Sequence, residues 1–185
     1  MRRHRENVLV RRPVEVELIP DGSRFELPAG TMAEVTQALG SSFTLYVEGR
    51  LVRLQGEDAD AIGKTPPVAP TLAEDASDEE VRALVWETLK TCYDPEIPVD
   101  IVELGLVYVC DVLPIDGGGG DGGLRVSIKM TLTAPGCGMG ESIAQEVRQK
   151  LSRLPRVEQV EVEIVFDPPW SREMMSEAAE LSLGL

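Results

Sequence analysis

Two spacings of apolar residues run along this chain, separated by a stretch that has neither. Near the start, Val14, Val16 and Leu18 alternate with Glu15, Glu17 and Ile19, then Asp21-Gly22 supplies a turn before Phe25 and Leu27. A period of two predicts strands with one face turned to a core. Gly30 predicts another reversal, and FTLYVEGRLVRLQG at 43–56 predicts a hairpin folded at Glu48-Gly49-Arg50. A small, mostly β unit over residues 1–65 is expected, as a barrel or a sheet. Residues 66–76, with Pro66, Pro67 and Pro70, lack periodicity and read as a semi-rigid linker.

From residue 77 the period lengthens. Ser77-Asp78-Glu79-Glu80 matches a capping box, and Val81, Leu84, Val85, Thr88, Leu89 and Cys92 fall on one helical face. Asp94-Pro95 is expected to end that helix. LGLVYVCDVL at 104–113 reads as a strand. In LRVSIKMTLT at 124–133, Leu124, Val126, Ile128, Met130 and Leu132 face one way, and Arg125, Ser127, Lys129, Thr131 and Thr133 the other. A second helix is expected from Met139 to Leu154, with Ile143, Val147, Leu151 and Leu154 on one stripe. VEQVEVEIVF at 157–166 predicts a third strand with Val160, Val162, Ile164 and Phe166 inward, and Ser171 is placed to cap a short last helix. The order α-β-β-α-β-α predicts an α+β chain: a two-layer α/β domain over 77–185, its open sheet covered by helices on one face.

Composition narrows the chemistry. Aromatic residues are 4% of the 185, so the core rests on Val, Leu, Ile and Ala. No apolar run reaches the roughly 18 residues of a membrane span. The basic start MRRHRENVLVRR lacks the apolar stretch of a signal peptide. A soluble, cytoplasmic protein is expected, with no membrane partner. Net charge is −14; residues 1–65 carry nine Lys/Arg against ten Asp/Glu, and the remainder nine against twenty-two. Such a balance repels a phosphate backbone, so nucleic acid is not expected as a partner. The single histidine, His4, leaves no imidazole for a Ser–His–Asp triad, a Cys–His pair or a His-rich metal site.

Three cysteines, Cys92, Cys110 and Cys137, are too scattered for a disulfide framework or a C-x-x-C zinc site. Cys92 sits on the apolar helical face and reads as a structural thiol, although it stands two residues before Asp94. Cys110 lies mid-strand among valines and reads as core. Cys137 differs: glycines flank it in Thr131-Leu132-Thr133-Ala134-Pro135-Gly136-Cys137-Gly138, at a bend from strand to helix. There the helix N-terminus favours a thiolate, able to bind metal or act as a nucleophile; the alternative is a small turn residue. The hydroxyls of Thr131 and Thr133 can line the same pocket or simply face water. Asp94-Pro95-Glu96-Ile97-Pro98 is a braced acidic loop that either binds metal or caps the next strand. Gly118-Gly119-Gly120-Asp121-Gly122-Gly123 matches G-x-G-x-x-G, but a strand rather than a helix follows, so it reads as a hairpin tip.

Three stretches, YDPEIPVDIVELGLVY at 93–108, MTLTAPGCGMGESIAQEVRQKL at 130–151 and VEIVFDPPWSREMMSEAA at 162–179, together resemble the metal–sulfur cluster biosynthesis family, which includes SufT-type and PaaD-type proteins. IPDG at 19–22, AGTMAEVTQALG at 29–40, the hairpin at 43–54 and EDADAIGK at 57–64 resemble the N-terminal extension of the SufT type. The glycine-rich insertion at 117–123 departs from the pattern. The resemblance implies a role in building iron–sulfur clusters or delivering them to apoproteins, with scaffold or carrier proteins and apo-clients as partners. It also implies Cys137 as the metal-binding sulfur, and Asp94, Glu96, Thr131 and Thr133 as its site companions. One thiolate cannot hold a cluster that commonly takes four. The expected cofactor is therefore a labile iron–sulfur cluster, shared within a homodimer or completed by an exogenous thiol, or no cluster at all. An adaptor that docks scaffold and client without binding a cluster is the competing reading. A thiol enzyme would have to use Asp94 or Glu96 as its base, and no enzyme is expected.

Overall fold

The computed structural model describes residues 6–39, 42–66, 72–73, 76–94, 97–115, 122–134 and 140–185. The chain is α+β and divides into two units: Met1–Val68 with Tyr93–Pro98, and Ala69–Cys92 with Val99–Leu185.

The first unit carries one antiparallel six-stranded sheet, β1 (Glu6–Leu9), β2 (Val14–Ile19), β3 (Arg24–Leu27), β4 (Met32–Leu39), β5 (Ser42–Val47) and β6 (Arg50–Gln55), in the order β1-β4-β5-β6-β2-β3. β5 and β6 form the expected hairpin. Glu48 at φ 49 and Gly49 at φ 85 give the two left-handed residues that a two-residue turn requires. Val14, Val16, Leu45, Val47, Val52 and Leu54 fill the core, as their alternation requires. Val8 and Val10 join them, although the basic start gave no strand signal; β1 pairs with β4 through Leu9–Met32 to Glu6–Val35. Across β2, β6 and β5, Glu17, Arg53 and Thr44 are cross-strand neighbours and all three are buried. Gln55 leads into a tight helical turn, Gly56–Ile62. Arg12 ties that turn down through Asp58 at 2.8 Å and Asp60 at 2.6 Å.

The second unit contains α1 (Asp78–Leu89), β7 (Val107–Pro114), β8 (Leu124–Met130), α2 (Gly140–Leu151), β9 (Val157–Ile164) and α3 (Glu177–Leu183). Ser77 and Glu80 form the reciprocal capping box read from the sequence. The sheet order is β7-β8-β9, with β7 antiparallel to β8 and β9 parallel to it. Leu124, Val126, Ile128 and Met130 are buried in the central strand. Ile143, Val147, Leu151 and Leu154 are buried along the predicted stripe, Leu154 just beyond the helix end. Arg82 of α1 donates to Val112 O on β7, and Arg148 of α2 to Val162 O on β9 at 2.9 Å.

Several boundaries differ from the pattern. α1 stops at Leu89, before Asp94-Pro95, and buried Cys92 lies in the turn that follows. β9 stops at Ile164, and Phe166 is exposed rather than inward, because the apolar alternation outlasts the pairing. Ser171 makes no side-chain cap; Ser176 caps α3 instead, accepting from Ala179 N at 3.1 Å. Cys110 is half-buried rather than core, since its strand lies at the sheet's edge. Of the glycine-rich insertion at 117–123, residues 117–121 lie outside the described residues.

Between α1 and β7 the chain makes a compact turn over residues 99–106. Leu104 N donates to Asp100 O, and Leu106 N to Ile101 O. The Asp100 carboxylate accepts from Val102 N and Glu103 N, both at 3.0 Å. Burial raises its pKa above the ordinary 3.8, partly offset by those backbone donors and reinforced by the charge of Glu103. Folded protein therefore binds the proton more readily than unfolded chain, so this group's stabilising contribution is complete below the ordinary value and declines as pH rises through the folded pKa. Asp100→Asn keeps an oxygen acceptor and removes the charge. Its stability relative to wild type is expected to improve as pH is raised through the window above 3.8, measured by urea unfolding at a series of pH values. A stability difference independent of pH would contradict this account.

Candidate functional site

The end of β8 and the start of α2 bracket the predicted site. β8 closes at Met130, so neither threonine lies on the strand face that the alternation predicted. Thr131 N still donates to Leu106 O at 2.8 Å, and Val165 N to Met130 O at 2.8 Å, which fixes the chain as it leaves the sheet. Thr131 is fully buried, and its Oγ1 makes no hydrogen bond among the described residues. Burying a hydroxyl without a partner costs on the order of 1–3 kcal/mol, so the position stands out chemically. Thr133 is half-buried, in a different environment. Leu132 packs against the first residue of α2: a side chain at Gly140 would overlap Leu132 Cδ1, so glycine admits the helix start close to the strand end.

Cys137 falls in residues 135–139, outside the described residues, as do Pro95 and Glu96. Asp94 is buried, and its Oδ1 accepts from Ile97 N at 3.0 Å. Asp94 belongs to the first unit, and Thr131 and Thr133 to the second. Among the described residues no group of three or more His, Cys, Asp or Glu is placed to hold a metal ion.

The two described thiols differ from what a ligand needs. Cys92 is completely buried; its Sγ lies 3.8 Å from Thr88 O and 3.5 Å from Lys150 Nζ. Burial pushes the Cys110 thiol up to about 11, with the neighbouring Asp111 adding to the shift.

A polar cluster that the sequence reading did not single out sits beside Cys92. Lys150 Nζ donates to Thr91 O at 2.8 Å and Thr91 Oγ1 at 2.9 Å, and pairs with Glu146 Oε1 at 2.8 Å. Lys150 is 15% exposed and Glu146 5%. α1 has no basic residue in its last turn, and Lys150 supplies the missing positive charge from α2. The signal was available: Glu146 and Lys150 stand at i and i+4, the spacing of a helical ion pair. Trp170 also escaped detailed prediction; its Nε1 donates to Leu104 O at 2.8 Å.

Comparison with known proteins bears on the half of the chain that holds these elements. The family model described as iron-sulfur cluster assembly protein matches residues 82–164. A protein of Porphyromonas gingivalis named Fe-S protein maturation auxiliary factor is 45% identical over 96 residues, covering 52% of this chain and 84% of that protein. The Fe-S protein maturation auxiliary factor YitW of Bacillus subtilis is 41% identical over 108 residues, covering 58% of this chain and 98% of YitW. The Fe-S protein maturation auxiliary factor SufT of Staphylococcus aureus is 42% identical over 92 residues, covering 50% of this chain and 96% of SufT. With identity at that level across nearly the whole of such relatives, and a strand–bend–helix arrangement at its centre, this chain belongs to the iron–sulfur cluster assembly protein family.

Proposed function

We propose that this protein is a maturation factor that takes up iron–sulfur clusters transiently and passes them to apoproteins, without catalysing a reaction of its own. The observation that carries this reading is the match of residues 82–164 to the assembly family, a stretch that includes Cys137. Cys137 is the proposed sulfur ligand. Thr131, buried at the strand end with a hydroxyl that makes no hydrogen bond among the described residues, supports a polar environment there. Thr133, Asp94 and Glu96 are proposed as companions of that sulfur.

The cluster is cargo in this scheme. A single thiolate leaves several iron coordination positions to be completed by a second copy of the chain or by a small thiol, and weak holding permits release. Scaffold or carrier proteins would load the site, and apo-clients would unload it. Among the described residues no helix is long and apolar enough to cross a membrane. A cytoplasmic location fits the proposed exchange.

Two measurements test the reading. On anaerobic reconstitution with iron and sulfide, wild type is expected to develop sulfur-to-iron charge-transfer absorption and to pass the cluster to an apo-ferredoxin. Cys137→Ala is expected to do neither, and equal absorption from both proteins would reject Cys137 as ligand. The second measurement concerns thiol reactivity. Brief alkylation near neutral pH, mapped by mass spectrometry, is expected to label Cys137 ahead of buried Cys92 and of Cys110, which should react readily only as pH nears about 11. Labelling of Cys110 as fast as Cys137 at neutral pH would count against a specially reactive sulfur at the bend.

A further inference from the structure

Four hydrogen bonds tie the backbone of the single turn at 99–106 to other parts of the second unit. Two join it to the helix and strand that precede and follow it in the fold. Ile101 N donates to Cys92 O at 2.9 Å, just past the end of α1, and Leu106 O accepts from Thr131 N at 2.8 Å, just past the end of β8. The other two come from residues 165–176. Trp170 Nε1 donates to Leu104 O at 2.8 Å, and Ser176 N to Glu103 O at 2.9 Å. Ser176 Oγ also bonds Glu103 Oε2, and Tyr108 OH donates to Pro168 O at 2.9 Å. Gly105, at φ 70, leaves room for Met174 O, which a side chain there would overlap.

We infer that residues 165–176 form a clamp on this turn, and that the clamp sets how firmly Thr131 and the end of α1 are held. No residue of the segment is fully buried: Val165, Trp170, Met174 and Met175 are half-buried, and Phe166, Ser171, Arg172 and Glu173 are exposed. Polar contacts to this turn, with further bonds to Met130 O and Tyr108, therefore carry much of its attachment, the kind of attachment that opens at low free energy while a sheet stays intact. When the clamp opens, Leu104 and Glu103 lose their outer partners, and the same short turn also presents Ile101 and Leu106 to Cys92 and Thr131. The turn thus transmits a change at Trp170 to the strand end. The functional consequence, that releasing the clamp loosens the Thr131 end of β8 from which the chain runs on to Cys137, rests on the function proposed above; the mechanical coupling does not.

Residue-resolved amide exchange on the full-length protein, followed by nuclear magnetic resonance, tests the coupling. Trp170→Phe keeps an aromatic ring and removes the Nε1 donor. It is expected to accelerate exchange at Ser176, Ile101 and Thr131 by about five-fold, the effect of one typical hydrogen bond, and to leave Val126 in mid-β8 unchanged. Gly105→Ala presses on Met174 from the opposite side and is expected to give the same footprint. Acceleration at Ser176 alone, or spread evenly through β8, would overturn the clamp. The measurement uses protein without iron or sulfide, so its failure is distinct from failure of the reconstitution that tests the proposed function.

Discussion

A parallel strand pair cannot be closed by a hairpin, and that constraint organises the second unit. β9 runs parallel to β8, so the chain leaving Met130 must cross the sheet before it can return as Val157. α2 is the crossover. Its start must therefore lie near the end of β8, and the absence of a side chain at Gly140 lets Leu132 sit against it. Met130 and Gly140 thereby mark the two ends of the segment that carries Cys137.

Around the ends of α1, β8 and α2, side chains are held by contacts whose purpose is placement. Lys150, fixed by Glu146, ties α2 to the residues that follow α1. The turn at 99–106 ties the same residues to the end of β8. Both arrangements use polar groups in poorly hydrated surroundings, where a satisfied hydrogen bond is geometrically demanding. An ion pair so deeply placed gains little net stability, because removing both charges from water costs about as much as their attraction returns. Its effect is to favour one arrangement of α1 and α2.

Much of this architecture was legible in the sequence. The capping box at Ser77 and the stripe Ile143–Val147–Leu151 fell where the helical period put them, because both depend on near neighbours in the chain. The β5–β6 hairpin was equally plain, since Glu48-Gly49 carries its own turn chemistry. β1 was not, because its buried Val8 and Val10 stand among arginines and owe their burial to pairing with distant β4. Phe166 misled for the converse reason: its alternation continues after the sheet has ended. At the candidate site, the alternation placed Thr131 on a strand face, but β8 ends one residue before it. The buried state of Thr131 was not readable, because it depends on the turn at 99–106 and on residues beyond β9. Lys150 carried a visible helical spacing, yet its attachment to Thr91 is a tertiary fact.

The buried row of Glu17, Arg53 and Thr44 in the first unit has a consequence for strand alignment. Side chains alternate between the two faces of a sheet, so sliding β6 by one residue would exchange its faces. Arg53 would then enter the layer of Val14, Val16 and Leu45, and Val52 and Leu54 would turn toward Glu17 and Thr44. A guanidinium in such surroundings costs several kcal/mol, on the order of the whole stability of a small domain. The row therefore acts as a detent: it penalises mispaired alternatives that an all-valine sheet would tolerate.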